Sequence, residues 1–393
     1  MKPEEQINRN KRKFSFKITA VFLGAFVGLL LFELGAYLIP PKHQMDNPWY
    51  FAAGGGVSRT DDLPFGRPPH LKWQGLSRGD LALLNDDPDP YATEVSFQTD
   101  KDGFRNSTDV QNAAIVFIGD SYTEAGNIPE EKTFVQLASK QLGVQTRNLG
   151  RAGYSASTEL GVLEKYAFPV RPKIIVWQIA ESNDLAEEVA FREWLNAGRP
   201  PFFDFDKRGK TSRADSWRRR SIVYKFWPRH EAHSKKQWPF AGVFVDARSR
   251  SYEMRFLPIP AHELVADAHP GWPFLANAVR TGRAWCEKRE IRLILLLIPR
   301  KYNVMRDFVK LHQSARPFIA GLDRITKTES ISAHLEALAE GLGIRFVDST
   351  KRLRNAAAAG EVVYLPFDTH LSEQGHKIIT ELIVETLHTN ALL

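Results

Sequence analysis

The sequence predicts an α/β domain with a doubly wound, parallel, five-stranded sheet, preceded by one transmembrane helix. Three observations predict this architecture. Between residues 114 and 347, five short apolar segments alternate with stretches of helical periodicity. Two of these segments, residues 173–179 and 292–298, are apolar along almost their whole length, as expected of strands covered on both faces. Residues 18–39 form a separate run of 22 nearly continuous apolar residues.

The apolar run at residues 18–39 is long enough to cross a hydrocarbon core of roughly 30 Å. A cleaved signal peptide is the alternative, but its apolar region is usually about 7–15 residues and precedes a small-residue cleavage site. This run is longer and ends in Ile39-Pro40-Pro41. Six Lys or Arg side chains within residues 1–17 place that basic tail in the cytoplasm by the positive-inside rule. We therefore expect a single-pass protein of the inner (plasma) membrane whose remaining chain is extracytoplasmic, which in a bacterium means periplasmic.

Composition excludes several classes of function. The net charge is +7, but the excess lies mainly in the basic tail and in the cluster Arg218–Arg220, so we expect no nucleic-acid partner. That cluster is a solvated basic face or a contact for an anionic glycan or lipid headgroup. With Cys286 as the single cysteine, neither an intramolecular disulfide nor a multi-cysteine metal site is available. We expect Cys286 to be a packed, inert thiol.

Pro, Gly and Asp are abundant in residues 40–112, which show no long helical period. We interpret them as an extended stalk lying on the domain, with a short strand near residues 95–99 and a turn at residues 102–104. The domain itself spans residues 113–390. Within it, residues 197–270 interrupt the alternation and are rich in Pro, Arg and Trp. This insertion is a packed surface excursion, or a lid or ligand-facing wall.

The elements of the domain follow from periodicity and punctuation. The helix at residues 131–142 carries an apolar stripe and stops at Gly143, and the last helix begins near Ser372, a plausible cap. The predicted strands are residues 114–118, 144–149, 173–179, 292–298 and 344–347, and the predicted helices are residues 131–142, 157–167, 184–196, 275–289, 331–341 and 372–387.

Polar residues follow the predicted strands where active sites of open parallel sheets form, at the carboxyl ends. Ser121 follows the first strand, Gly153 lies in a glycine loop after the second, and Asn183 follows the third. Asp368 and His370 come after the fifth. One pocket can therefore collect a hydroxyl, a backbone N–H, an amide, an imidazole and a carboxylate.

These residue types suit acyl transfer. A serine hydroxyl is a poor nucleophile until a base takes its proton, and His370 has the pKa range for that base. Asp368 can hold the imidazole in the required tautomer. Attack on an ester carbonyl creates an oxyanion, which needs preorganised donors. The backbone N–H groups of Ser121 and Gly153 and the amide of Asn183 can supply them.

The blocks G-D-S-Y-T, N-L-G-R-A-G, E-S-N-D and D-T-H, in this order, resemble the SGNH (GDSL) hydrolase superfamily. The resemblance covers roughly residues 100–390 and implies a flavodoxin-like sheet and ester chemistry. It implies Ser121 as nucleophile, Gly153 and Asn183 as oxyanion donors, His370 as base and Asp368 as its acidic partner. The membrane anchor and the run D-T-H-L-S-E-Q-G-H are also similar to alginate O-acetyltransferase-like proteins of exopolysaccharide systems. That similarity implies an envelope polysaccharide machinery as partner.

The chain departs from the family pattern at two places. Glu181 replaces a glycine in the third block and adds a carboxylate near the expected oxyanion site. The spacing from Asp368 to His370 is D-x-H rather than the D-x-x-H of many members. Three functions remain open: an esterase or O-acetyltransferase acting on a carbohydrate, a lipid acyl esterase or thioesterase at the membrane surface, and a non-catalytic glycan-binding subunit.

We expect the remaining candidate residues to have structural rather than catalytic roles. We expect Asp120 to order the turn before Ser121 and His376 to pack or cap the last helix. No spacing among the other histidines suits a metal, so no metal and no cofactor are expected; these histidines include His70, His230, His233, His262 and His269.

Overall fold

The computed structural model describes residues 16, 17, 19–21, 23–32, 57, 58, 63–84, 87–200, 240–257, 266–315 and 330–389. The chain divides into two compact units, residues 1–45 with 206–234, and residues 46–205 with 235–393. In the first unit the described residues, all between 16 and 32, are helical. The second unit contains all the elements that follow.

The strands of the second unit are β1 Val57–Ser58, β2 Phe65–Gly66, β3 Lys72–Ser77, β4 Thr93–Gln98, β5 Ile115–Gly119, β6 Thr146–Gly150, β7 Ile174–Ala180, β8 Ala241–Val245, β9 Ser251–Arg255, β10 Arg292–Ile298, β11 Val309–Leu311 and β12 Arg345–Asp348. The α-helices are α1 Asp80–Leu83, α2 Ser121–Glu124, α3 Phe134–Leu142, α4 Ala156–Val162, α5 Asp184–Asn196, α6 Trp272–Glu287, α7 Lys301–Met305, α8 Ile331–Leu342, α9 Thr350–Ala358 and α10 Glu373–Thr389.

The five-stranded parallel sheet has the order β12-β10-β7-β5-β6. The first strand of the sheet in the chain, β5, lies between the second, β6, and the third, β7. The direction of winding therefore reverses between β5 and β7. In open α/β sheets, ligands bind outside the carboxyl ends of the strands at such a switch point. The predicted doubly wound parallel sheet is confirmed.

Side chains alternate between the two faces of the sheet, and each face is covered by helices. Phe117, Val176 and Leu296 join one core cluster with α3, α9 and α10. Ile118, Trp177 and Leu295 join the other with α4, α6 and α8. Burial on both faces explains why the central strands are apolar along their length.

The predicted helix starts and stops have identifiable physical causes. Thr133 caps α3 by accepting the N–H of Gln136, and Gly143 ends this helix in the left-handed conformation, with φ 64°. Ser372 caps α10, since its hydroxyl accepts the N–H of Gly375 over 3.2 Å. The helix expected at residues 157–167 is confirmed: it is α-helical over Ala156–Val162 and π-helical over Leu163–Ala167.

Two regions outside the alternating strands and helices of the parallel sheet form small antiparallel sheets. Within the segment interpreted as a stalk, β3 pairs with β4 over the expected strand near residue 95. Gly103 forms the expected turn with φ 83°. Within the insertion, β8 pairs with β9, and β8 also pairs with β11, which follows the insertion; none of these three strands was predicted. Trp217, Trp227, Trp238 and Arg218–Arg220 lie outside the described residues.

The predicted membrane segment is only partly covered by the structure. In the described part of the chain, the helices are too short or too polar to cross a bilayer. Residues 1–15, 18, 22 and 33–39 lie outside the described residues. The anchor and the cytoplasmic tail stay predictions.

Candidate active site

Ser121 begins the short helix α2 directly beyond β5, at the switch point of the sheet. Asp120 orders this turn as expected, because its carboxylate accepts the N–H of Tyr122 over 2.9 Å. A Cβ at Gly119 would lie 2.4 Å from Gln178 Oε1 and 2.5 Å from Thr123 Oγ1, so only glycine fits there. The hydroxyl of Ser121 is thereby held at the carboxyl edge of the sheet.

His370 and Asp368 meet Ser121 across 249 residues of chain. His370 Nε2 lies 2.7 Å from Ser121 Oγ, and His370 Nδ1 lies 2.6 Å from Asp368 Oδ1. The same carboxylate oxygen accepts the backbone N–H of His370 over 2.8 Å. The D-x-H spacing thus forms a closed turn in which Asp368 orients the imidazole. In the neutral imidazole, with Nδ1–H donating to Asp368, Nε2 is left to accept the hydrogen bond of the Ser121 hydroxyl.

The charges around His370 favour its protonated form. Burial opposes the imidazolium, but the charge and hydrogen bond of Asp368, with the charges of Asp80 and Asp120, outweigh it and raise the pKa of His370 to about 9. Conversely, burial opposes the Asp368 carboxylate, while His370 holds the pKa of Asp368 below its ordinary value. The pair is therefore poised as carboxylate and imidazolium.

Gly153 lies in the turn that follows β6, at the same edge as Ser121. Its φ of 82° is in the left-handed region, and a Cβ would lie 3.3 Å from Phe65 Cζ. The neighbouring Arg151 N–H donates to Gly119 O over 2.9 Å and ties this turn to the end of β5. The structure therefore places Gly153 beside the nucleophile turn, and its role as oxyanion donor stays a prediction.

Asn183 stands at the N-cap position of α5, but its side chain makes no capping bond. Its amide donates to Asp120 Oδ2 over 2.8 Å, and its side-chain oxygen accepts the hydroxyl of Ser182 over 2.6 Å. The amide is thus engaged by the carboxylate of Asp120. Its predicted contribution to an oxyanion site is not shown by this arrangement and stays a prediction.

Glu181 does not add an unpaired carboxylate to the site. Its oxygens accept the backbone N–H of Arg300 over 3.0 Å and the side-chain amide of Asn303. Its own N–H donates to Ile298 O over 3.0 Å. The carboxylate that replaces the family's glycine is therefore used to join the ends of β7 and β10.

Three residues at the site were not predicted from the sequence: Lys301 and Asp80 lie outside the quoted blocks, and Tyr122, although part of G-D-S-Y-T, was given no role. Lys301 Nζ donates to the carbonyl oxygens of Leu365 and Pro366 over 2.7 Å and of Asp368 over 3.0 Å. The hydroxyl of Tyr122 donates to Thr369 O over 3.1 Å, and its ring lies 4.7 Å from the His370 ring. Asp80, from α1, is the third: its Oδ2 lies 3.8 Å from His370 Nδ1.

A group of buried and half-buried carboxylates includes Asp120, the residue before Ser121. One oxygen each of Asp120, Asp184 and Glu187 lies within 4.8 Å of the others. Burial and the mutual negative charge raise the pKa of Asp184 well above its ordinary value, and burial raises that of Glu187 to about 8. The raised pKa values mean that Asp184 and Glu187 bind protons more readily than ordinary carboxylates do.

Of the other histidines, His376 packs as expected. It accepts the N–H of Phe134 at Nδ1 over 3.2 Å, stacks on that ring, and has its pKa lowered to about 3 by burial. His269 Nδ1 accepts the N–H of Gly271 over 3.0 Å. His230, His233 and His262 lie outside the described residues.

A buried ion cluster supports the loops around the site. Glu124, at the end of α2, accepts Arg67 at both oxygens over 2.7 and 3.0 Å and Arg151 over 2.9 Å. It also accepts the N–H of Ala152 over 3.2 Å. The cluster therefore joins the segment before the sheet, the nucleophile turn and the turn that carries Gly153.

No protein-family model matches the chain, and no curated protein matches it. Solved structures do resemble it. A putative acylhydrolase from Bacteroides fragilis is 14% identical, with 71% of this chain and 88% of that chain covered and a TM-score of 0.35. A catalytic mutant of an acetylxylan esterase from Geobacillus stearothermophilus is 13% identical, with 69% and 92% covered and a TM-score of 0.37. A GDSL-like lipase from Bacteroides thetaiotaomicron is 12% identical, with 70% and 88% covered and a TM-score of 0.34. At these identities and TM-scores below 0.5, the likenesses are too distant to assign an activity or a substrate.

Proposed function

We propose that the chain is a serine esterase or O-acyltransferase that works through an acyl-enzyme on Ser121. The observation that carries the proposal is the hydrogen-bonded series from Ser121 Oγ to His370 Nε2 and from His370 Nδ1 to Asp368 Oδ1, at 2.7 and 2.6 Å. A nucleophile within reach of a base, with the base oriented by a third group, is the geometry of nucleophilic acyl transfer.

In the acylation step, Ser121 Oγ attacks the acyl carbonyl carbon while its proton passes to His370 Nε2. Asp368 stabilises the resulting imidazolium through the Nδ1–H bond. The tetrahedral intermediate collapses when His370 returns the proton to the departing alcohol oxygen. The backbone N–H groups of Ser121 and Gly153, with the amide of Asn183, are the candidates for holding the oxyanion; one such donor is worth about 2.7–4 kcal/mol in the transition state.

In the second step, an acceptor hydroxyl removes the acyl group from Ser121. His370 takes the proton of that hydroxyl and then returns it to Ser121 Oγ. When the acceptor is water the reaction is hydrolysis, and when it is a sugar hydroxyl the reaction is transfer. The chemistry of the triad is the same in both cases.

We further propose O-acetyl groups of a carbohydrate or cell-envelope polymer as the substrate, with the domain held at the outer face of the inner membrane. The resemblance of the D-T-H region to exopolysaccharide acetyltransferase-like proteins supports the substrate. The apolar side chains of the described helical residues 16–32 support the anchor, since they are exposed; Val21 is 71% and Leu23 is 62% exposed.

The third function considered, a non-catalytic subunit, depended on Glu181 disturbing the site. That carboxylate is occupied by Arg300 and Asn303, so the reason for this alternative is removed. A lipid acyl esterase remains the alternative function. Comparing the rates on a short-chain and a long-chain ester distinguishes the two.

The test uses the purified full-length chain with p-nitrophenyl acetate and a long-chain p-nitrophenyl ester. Ser121→Ala is expected to abolish turnover, whereas Ser107→Ala, an exposed serine, should leave it unchanged. Mass spectrometry after a brief reaction should find the acetyl group on Ser121. Equal rates for the wild type and Ser121→Ala would overturn the proposal.

Preference for the long-chain ester would favour the lipid esterase instead. Adding an oligosaccharide acceptor and weighing its products then distinguishes transfer from hydrolysis. Acetylated oligosaccharide that requires Ser121 indicates transfer, and free acetate alone indicates hydrolysis.

A further inference from the structure

The segment before the sheet reaches the catalytic turn through α1. Asp80 N–H donates to Asp368 Oδ2 over 3.2 Å, although the two residues lie 288 positions apart. Leu81 N–H donates to Phe367 O over 3.1 Å. A Cβ at Gly79 would lie 2.1 Å from the same carbonyl oxygen, so the two segments are in close backbone contact. The start of α1 and the D-T-H turn therefore form one unit.

The Asp80 side chain hydrogen-bonds to this turn at Thr369. Asp80 Oδ1 accepts the N–H of Thr369 over 2.9 Å, and Asp80 Oδ2 accepts its hydroxyl. The same Oδ2 lies 3.8 Å from His370 Nδ1. Resting on the proposed function, we propose that Asp80 is a positioning residue for His370: it fixes the D-T-H turn through Thr369 and places a second negative charge beside the imidazole.

Asp80 is negatively charged over the pH range in which His370 titrates. Desolvation and the neighbouring Asp368 raise the pKa of Asp80 to about 6, so it is ionised over the range in which His370, with a pKa of about 9, loses its proton. The charges of Asp368 and Asp80 act on Lys301, but burial outweighs them and lowers its pKa to about 7. In the described part of the chain, the titratable groups that interact electrostatically with Asp80 or His370 include Asp368, Lys301, Asp120, Tyr122, Glu187 and His376.

Two variants separate the effect of the Asp80 charge from the effect of its hydrogen bonds to Thr369. Asp80→Asn keeps an oxygen for the Thr369 N–H but removes the charge, so the pKa of His370 should fall by about one to two units. As pH falls from 10 to 7, the ratio of variant to wild-type kcat/KM should then rise in total by about tenfold if the His370 pKa falls by one unit, and by about fiftyfold if it falls by two. A variant that merely loosens the turn would lower activity by the same factor at every pH. Asp80→Ala removes both the charge and the hydrogen bonds to Thr369. It should reduce kcat at least tenfold on the high-pH plateau.

The decisive readout does not need turnover. Full-length protein labelled with ¹³C at the histidine Cε1 positions is titrated by NMR, with His370→Gln identifying the resonance. Asp89→Asn is the matched control, since Asp89 accepts the N–H of Gly79 over 2.7 Å and belongs to the same segment. We expect the His370 pKa to fall in Asp80→Asn and to stay within about 0.3 units in Asp89→Asn.

The inference is overturned if Asp80→Asn titrates like the wild type, or if Asp89→Asn lowers the His370 pKa as much. Failure of the proposed function would be seen separately, as a wild type no more active than Ser121→Ala on any ester. The imidazole titration would still report on Asp80 in that case.

Discussion

Replacing Glu124 by Gln is expected to destabilise the second unit by about 3–5 kcal/mol at pH 7. Glu124 is fully buried with Arg67 and Arg151, and both arginine side chains are at most about 1% exposed. The amide of Gln keeps the shape of the side chain but leaves two buried guanidinium groups without their counter-charge. Such a loss costs more than the pair itself contributes, because desolvation of the arginines is no longer offset.

The pKa of Glu124 gives a second route to the magnitude. Burial opposes its ionisation, but the charges of Arg67 and Arg151 outweigh burial and lower the pKa from 4.5 to about 2. At about 1.4 kcal/mol per pKa unit, this difference corresponds to roughly 3 kcal/mol. Because the folded-state pKa is depressed, this stability is present above pH 4.5 and is lost as pH falls through about 2.

The assay is urea unfolding of the wild type and Glu124→Gln at pH 7, repeated at lower pH. Glu373→Gln is the control, since its ion pair with Lys132 at 3.5 Å is about half exposed and should contribute less than about 1 kcal/mol. The gap between the wild type and Glu124→Gln should narrow as pH falls below 4.5. A gap at pH 7 no larger than that of Glu373→Gln would refute the reasoning.

Three further predictions follow from the same structure. Because the base must be neutral to accept the serine proton, wild-type kcat/KM should rise with pH to an apparent pKa near 9; a limb at the ordinary 6.5 in a pH–rate profile would contradict the charge arrangement around His370. Burial raises the pKa of Glu187 to about 8, so its stability contribution is complete below about pH 4.5 and falls as pH rises to 8. Glu187→Gln should therefore raise the melting temperature by a few degrees at pH 8 and have little effect at pH 4. An equal shift of the melting temperature at both pH values would count against a raised pKa of Glu187. Burial also raises the pKa of Cys286 to about 12, so a thiol reagent at pH 8 should label the native protein far more slowly than the urea-unfolded one, and comparable rates would show that the thiol is accessible.

The architecture could be read largely from local patterns. The strand predicted at residues 292–298 and the helix predicted at 184–196 have those bounds, and the other strand ends differ by one or two residues. Two elements with little apolar signal for their length escaped prediction. Helix α9 buries only Leu353 and Ala357, too little apolar surface to produce a clear stripe. Strand β8 lies in a stretch dominated by Pro, Arg and Trp and alternates only at its end.

The amino-acid sequence by itself determined the five buried strands, the helices that cover them and the order of the polar blocks. It also placed Ser121, Gly153 and Asn183 at one edge, because carboxyl ends of parallel strands share an edge. These properties depend on periodicity and chain order, which are local. Only the tertiary structure decided where side chains point: Glu181 toward Asn303, the amide of Asn183 toward Asp120, and Asp80 toward Thr369. Such choices depend on contacts between segments 63 to 289 residues apart, whose free energy no local pattern records.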